Sequence, residues 1–154
     1  KIPKFSRMDL PVEDPKGTLI MFKRGSKESS VCVPILKNKG DDIPILALPD
    51  TANAHFTAFK EYKTSVRKWT QKMADDSGQI TFYATAMWLA TGAIPKDIEL
   101  VNVPVEYDEN DRLTPTGELV RLPTQRSMTD VIKMCSRIRK AWTGIKESCE
   151  KELL

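Results

Sequence analysis

The residues that could carry catalysis or hold a metal are few and widely separated in this sequence. His55 is the only histidine, which excludes a site with two histidine ligands. The cysteines are Cys32, Cys135 and Cys149. On one helix Cys135 and Cys149 would lie roughly 21 Å apart, too far for a shared metal or a disulfide. We therefore predict that all three cysteines are reduced and that the chain holds no metal or other cofactor.

Loops that bind phosphate or calcium are also missing from the pattern. Gly25-Ser26-Lys27 resembles the end of a phosphate loop, but the first glycine at the required spacing is missing. The adjacent pairs Asp41-Asp42 and Asp75-Asp76 predict turns, because they lack the alternating oxygen ligands of a calcium loop. We predict that the protein is not an enzyme and has no small-molecule substrate. An enzyme with an unrecognised site is a further alternative.

Basic residues are concentrated in two segments. Five stand against Glu61 between residues 56 and 73, and five against Asp130 between residues 129 and 146, although the net charge of the chain is only +3. A face of one sign predicts an anionic partner, whereas a face that serves only solubility usually mixes both signs. A simple solvated helix face is the competing interpretation, because Lys and Arg are good helix formers. The candidate binding residues are Lys60, Lys63, Arg67, Lys68, Lys133, Arg137, Arg139 and Lys140.

Apolar spacing predicts three helices that would position these charges. Phe59 begins a stripe with spacings of three and four residues, which predicts a first helix over 52–73. Residues 79–91 are apolar nearly all round and are followed by Gly92, which predicts a second helix buried on every side. The last helix starts after Ser127 as N-cap, with Asp130 in its first turn. Its apolar stripe consists of Val131, Cys135, Ile138, Trp142, Ile145 and Cys149.

The remaining segments read as strands and short loops. Residues 18–25 and 30–38 predict a hairpin, and residues 43–49 predict a third strand. Alternation then places Val101, Val103, Val105 and Tyr107 on the buried face of a later strand, which residues 118–123 would pair with.

These elements together predict an α+β fold. A small antiparallel sheet would pack with two central helices and a long basic C-terminal helix. Residues 1–16 would form a proline-rich arm, and residues 17–154 a single domain. The side chains expected to be buried on the helical stripes are Phe59, Tyr62, Val66, Trp69, Ile138, Trp142 and Ile145.

One segment resembles a known family. Residues 75–110 run from an apolar helix through Leu89, Ala90, Gly92, Ala93 and Pro95 into an alternating strand. This passage is similar to the helix-then-strand region of rhabdovirus matrix proteins, especially those of the lyssavirus type. The resemblance implies a self-associating structural protein that bridges a membrane and a nucleocapsid.

The charge pattern and the resemblance lead to one functional expectation. We predict a non-enzymatic, matrix-like structural protein that forms a homo-oligomer and binds an anionic lipid surface, RNA or a nucleocapsid. The alternative is an RNA-binding coat, nucleocapsid or movement protein. An odd number of cysteines and the lack of a signal peptide predict a reducing, cytoplasmic location, with a peripheral membrane or a virion as the other options.

Overall fold

The computed structural model of the chain describes residues 31–38, 41–47, 49–53 and 55–153. The predicted arm and the predicted strand at 18–25 lie outside the described residues. The elements are β1 (Val31–Asn38), β2 (Asp41–Ala47), β3 (Thr51–Ala52), β4 (Ala58–Ser65), α1 (Gln71–Asp75), α2 (Gly78–Thr91), β5 (Asp97–Tyr107), β6 (Leu113–Pro115), β7 (Val120–Thr124) and α3 (Met128–Glu152).

The strands form a hairpin and a larger, curled sheet. β1 pairs antiparallel with β2, so the partner of β1 within the described residues is the strand that follows it. In the five-stranded sheet β4 lies between β3 and β5, while β7 and β6 pair with β5. The fold is α+β, as the sequence predicts. The sheet is nevertheless mixed rather than antiparallel, because β4 and β5 run parallel over eight residue pairs and are joined through α1 and α2.

The predicted helix over 52–73 is wrong, because most of that segment is β4 and the loop after it. Asn53 stabilises the turn that leads into β4, because its side-chain Oδ1 accepts hydrogen bonds from the backbone N–H groups of Thr57 and Ala58. The spacing of apolar residues fitted a helix, but Glu61 occupies an inward position of β4 and hides the alternation of a strand. A helix remains only at α1, where the Thr70 hydroxyl accepts a hydrogen bond from the N–H of Met73.

The predicted buried face of β5 is confirmed only at Val101, which is 2% exposed. Val103 and Val105 are half-buried and Tyr107 is 63% exposed, whereas Ile98, Leu100, Asn102 and Pro104 on the other face are buried. Asn102 can face inward because its amide is fully used. It accepts from the N–H of Trp69 and donates to the carbonyl of Lys63 and the hydroxyl of Ser65.

The second predicted helix is confirmed as α2, which forms the centre of the core. The Ser77 hydroxyl accepts from the N–H of Ile80 at its start, and Gly92 ends it with a φ of 80°. Phe59 on β4 meets Tyr83 edge-on, with ring centroids 6.0 Å apart. One apolar cluster joins α2 to β2, to the inner face of the larger sheet and to the start of α3. This central position explains why the helix is apolar nearly all round.

The expected burial on the helical stripes is only partly observed. Phe59 is buried, and Trp69, Ile138 and Trp142 are half-buried against the core. Three of the expected core residues are instead exposed: Tyr62 at 46%, Val66 at 57% and Ile145 at 54%. Tyr62 and Val66 lie on and after a strand rather than on a helix, and Ile145 lies where α3 extends past the core.

Candidate anionic-surface interface

The helix α3 is held at its start by a reciprocal cap. The Ser127 side chain accepts from the N–H of Asp130, and the Asp130 carboxylate accepts from the N–H of Ser127 at 2.7 Å. The hydrogen bond from the backbone N–H of Ser127, followed by that from its hydroxyl, lowers the pKa of Asp130. The predicted N-cap and first-turn acid are therefore confirmed, and they fix where the basic residues of the helix point.

Three cations form a line along the outside of α3. Lys133, Arg137 and Lys140 are all exposed and follow one another at spacings of four and three residues. This basic line (Lys133, Arg137 and Lys140) lies on the side opposite the buried Val131 and Cys135, since 3.6 residues complete a turn. Within the described residues none of the three forms an ion pair. Arg139 is half-buried and lies beside the apolar stripe instead.

The other predicted half of the surface is arranged differently, because its basic residues belong to β4 and the following loop. Lys60 Nζ lies 3.7 Å from Glu99 Oε2, and Lys68 Nζ lies 2.6 Å from Glu118 Oε2. Arg67 is exposed and forms no ion pair with any described residue. The continuous basic face of two helices that the sequence predicts is thus absent from the described part of the chain.

Lys63 is the most firmly held of these cations. Its Nζ lies 2.8 Å from Glu61 Oε1 and 2.6 Å from Gln79 Oε1, and the Gln79 amide donates to the Tyr83 hydroxyl. Glu61 is only 4% exposed, and its Oε2 has no hydrogen-bond partner among the described residues. Burial raises the pKa of Glu61 despite the hydrogen bond from Lys63. Lys63 therefore neutralises the buried carboxylate of Glu61 within the fold.

Arg126 is a buried cation that sequence reasoning missed. Its guanidinium donates to the carbonyls of Ala74 and Ser77, which end α1 and precede α2, and to the hydroxyls of Thr81 and Thr124. Burial lowers the pKa of Arg126. Its position just before the N-cap of α3 gives no sequence signal of this role. Asn102 was recognisable in the sequence as a candidate structural residue, because it is an amide within a largely apolar segment.

A groove of about 840 Å³ lies at the edge of the larger sheet. Its charged lining residues carry both signs: Lys60, Lys96, Asp75, Asp97 and Glu99. Hydrogen bonds from the Thr124 hydroxyl and then from the Gln71 amide lower the pKa of Asp75. His55 is exposed and does not line the groove. The Thr124 hydroxyl donates to Asp75 Oδ1 at 2.8 Å within the groove, but the lowered pKa of Asp75 makes that carboxylate a weak base for activating a hydroxyl.

The described cysteines differ in their surroundings. Cys135 is buried and Cys149 is exposed, and both are free. Burial raises the pKa of the Cys135 thiol. A search of the described residues for three or more His, Cys, Asp or Glu side chains placed to hold a metal found no such group. The reduced state of all three cysteines stays a prediction.

Comparisons with known proteins identified no relative of this chain, so the interpretation of the fold and interface rests on the structure itself. A scan against protein-family models, a search of curated proteins and a search of solved structures all returned no match. None of the described helices combines the length and apolar character needed to cross a membrane.

Proposed function

We propose that this chain is a non-enzymatic structural protein that attaches to a phosphate-bearing surface through the basic line of α3. The observation that carries the proposal is the contrast between the two groups of cations. Lys60, Lys63 and Lys68 each have a carboxylate within 4 Å, while the three residues of the basic line have none among the described residues. Unpaired cations in one row favour an anionic ligand over a purely structural role.

The ligand chemistry common to the two expected partners is the phosphate group. Anionic lipid headgroups and RNA both present it, and the matrix-like role implied by the sequence resemblance bridges a membrane and a nucleocapsid. A lipid surface would gain about 1 kcal/mol from each Lys or Arg near it. A single strand of RNA would be bound with a slope of roughly −0.7 in log affinity against log salt for each phosphate neutralised. Three cations therefore predict a slope of about −2 on RNA.

The test compares vesicles and RNA at two salt concentrations with the same protein. The ligands are phosphatidylserine-containing vesicles, pure phosphatidylcholine vesicles and a single-stranded RNA without secondary structure. The double reversal Arg137→Glu and Lys140→Glu should abolish binding to whichever anionic ligand binds the wild type, without changing the circular dichroism spectrum. Binding to neither ligand at near-physiological salt would overturn the proposal.

A charge-matched control keeps the test specific for α3. Lys96→Glu with Arg112→Glu changes the net charge by the same amount, and both side chains are exposed, form no ion pair with described residues and lie outside the candidate binding residues. This control should retain nearly full binding. Equal losses in the two double variants would indicate attraction by overall charge and would remove the basic line from the proposal.

A further inference from the structure

Three side chains of complementary chemistry meet between β4 and the start of α2. Glu61 and Lys63 lie on the same face of β4, and Gln79 belongs to the first turn of α2. Lys63 Nζ lies 2.8 Å from Glu61 Oε1 and 2.6 Å from Gln79 Oε1. An amine that contacts both a carboxylate and a carboxamide has the base and the acyl group that an acyl transfer to nitrogen requires.

Glu61 has the surroundings of a proton acceptor for this amine. It is only 4% exposed, and its Oε2 has no hydrogen-bond partner among the described residues. Burial raises the pKa of Glu61, because a buried carboxylate loses its hydration. The same effect favours transfer of a proton from the Lys63 ammonium to Glu61, which leaves an uncharged amine. The uncharged amine is the nucleophilic form of lysine.

Gln79 presents its carbonyl group to the amine. Its Nε2 donates to the Tyr83 hydroxyl at 2.8 Å, which turns Oε1 toward Lys63. Since a C=O bond is about 1.23 Å long, Gln79 Cδ lies at most about 3.8 Å from Lys63 Nζ. Reacting atoms in a near-attack arrangement are about 3–3.5 Å apart, so a small side-chain rotation completes the approach. Gln79 is exposed, so a released ammonia molecule can leave into water.

We propose that Lys63 and Gln79 join through an intramolecular amide bond, with Glu61 as the base. The distances above are those of the chain before this bond forms. The bond would link β4 to α2 and enclose α1 in a covalent loop, which restricts the unfolded chain. It goes beyond the proposed binding function and does not depend on it, since no residue of the basic line takes part.

The reaction needs no oxidant, reductant or further reactant. The Glu61 carboxylate takes one proton from the Lys63 ammonium, and Nζ forms a bond to Gln79 Cδ while the carbonyl electron pair moves onto Oε1. Glu61 gives its proton to Nε2 and takes a second proton from Nζ. The carbonyl then re-forms, the Cδ–Nε2 bond breaks and ammonia leaves. Ammonia takes the second proton from Glu61 as ammonium, which restores the carboxylate.

The mass of the full chain tests this reaction. Wild-type protein kept for a week at neutral pH should lose one ammonia molecule, about 17 Da, and a tryptic digest should contain one peptide pair joined between Lys63 and Gln79. An unchanged mass, or a link at any other pair of residues, would overturn the proposal. A loss of one water molecule, about 18 Da, with Lys63 joined to Glu61 would overturn the assigned roles.

Three variants assign the roles. Lys63→Arg keeps a cation beside Glu61 but lacks the amine, so it should retain its full mass. Glu61→Gln keeps the shape of the base and should slow the loss of ammonia at least about 100-fold. The matched control Lys60→Arg changes a lysine beside Glu99 on the other face of β4 and should react like the wild type.

The variants also separate this bond from other losses of ammonia. Cyclisation of an asparagine releases ammonia too, and that loss would persist in Lys63→Arg. Loss of ammonia from Lys63→Arg, or equal rates in the wild type and a Glu61→Gln protein with an unchanged circular dichroism spectrum, would overturn the proposal. The peptide map of the wild type decides the question even where a variant does not fold.

Discussion

Glu61 has surroundings that oppose its ionisation. Its carboxylate is buried between β4 and α2, one oxygen lacks a hydrogen-bond partner among the described residues, and Lys63 satisfies only the other. Burial outweighs the Lys63 contact, and the nearby Asp50 carboxylate acts in the same direction as burial, so the pKa is raised from the ordinary 4.5. A raised carboxyl pKa means that the folded state binds a proton more tightly than the unfolded state does.

The pH dependence of stability should reveal this residue. Its contribution is fully present below the unfolded pKa and is lost as the pH rises through the raised folded pKa. Between about pH 4 and about pH 8 the free energy of unfolding of the wild type should therefore fall relative to that of Glu61→Gln. Denaturant titrations of both proteins across this range measure the difference, and titrating groups that do not interact with Glu61 cancel in it. A difference that grows in favour of the wild type with pH would mean that pairing with Lys63 outweighs burial.

Arg126 should be the most sensitive charged side chain to remove. Arg126→Met keeps the apolar stem but removes the guanidinium's hydrogen bonds to the carbonyls of Ala74 and Ser77, which retain only backbone and Thr81 donors. Each hydrogen bond from a charged donor contributes about 1.5–3 kcal/mol, offset partly by relief from burying the charge, so a loss of about 2–4 kcal/mol is expected in urea unfolding. The control Arg121→Met removes an exposed arginine paired with Glu99 and should cost under about 1 kcal/mol. Similar losses in both would show that Arg126 does not join α1 to α2 energetically.

Two glycines on neighbouring elements should respond to the same substitution with opposite signs. Gly144 lies inside α3 with open space around its missing Cβ, whereas Gly92 ends α2 with a φ of 80°. Gly144→Ala should stabilise the protein by about 0.5–1 kcal/mol through helix propensity, and Gly92→Ala should destabilise it by about 1 kcal/mol through the left-handed conformation. Thermal unfolding of both variants checks the signs. A destabilising Gly144→Ala would indicate that another molecule or segment packs at that position.

The elements that the sequence predicts well are those whose signals are local. Ser127 and Asp130 define the start of α3, and the apolar run ending at Gly92 defines α2, because caps and stops depend on neighbouring residues only. The strand β4 could not be predicted in this way. Its pairing partner is β5, more than thirty residues away, and its inward Glu61 is tolerated only because Lys63 and Gln79 meet it in the folded chain.

The candidate interface was predictable by residue type but only in part by position. Lys133, Arg137 and Lys140 lie on α3 as predicted, since the helix itself was correct. Lys60 and Lys68 lie near Glu99 and Glu118, which are distant in sequence, and no spacing rule within a helix could bring these partners together. A search for acidic residues at i±4 therefore missed the ion pairs that neutralise these cations.

At the scale of the whole molecule, the end of α3 should be separable from the fold. Deleting residues 143–154 removes only residues that are exposed in the described chain, apart from the terminal residue, which is not described. The shortened chain should keep its free energy of unfolding to within about 1 kcal/mol. Ending the chain at Ser136 also removes Ile138 and Trp142 from the core and should cost about 3 kcal/mol or more. Equal stability of the two truncated chains in unfolding titrations would contradict this division.

The parallel pairing of β4 with β5 has a consequence for synthesis on the ribosome. A chain that has emerged only as far as Pro95 contains β4 but not the strand that pairs with it over eight residues. At that stage Phe59 can reach α2, but the backbone groups of β4 toward β5 and the inward Glu61 face water or whatever else is nearby. The larger sheet closes only after β5 and β7 have left the exit tunnel, so its assembly follows the emergence of Thr124. Until then a nascent chain of this protein exposes an unpaired strand edge of β4, to which a chaperone or a neighbouring nascent copy has access.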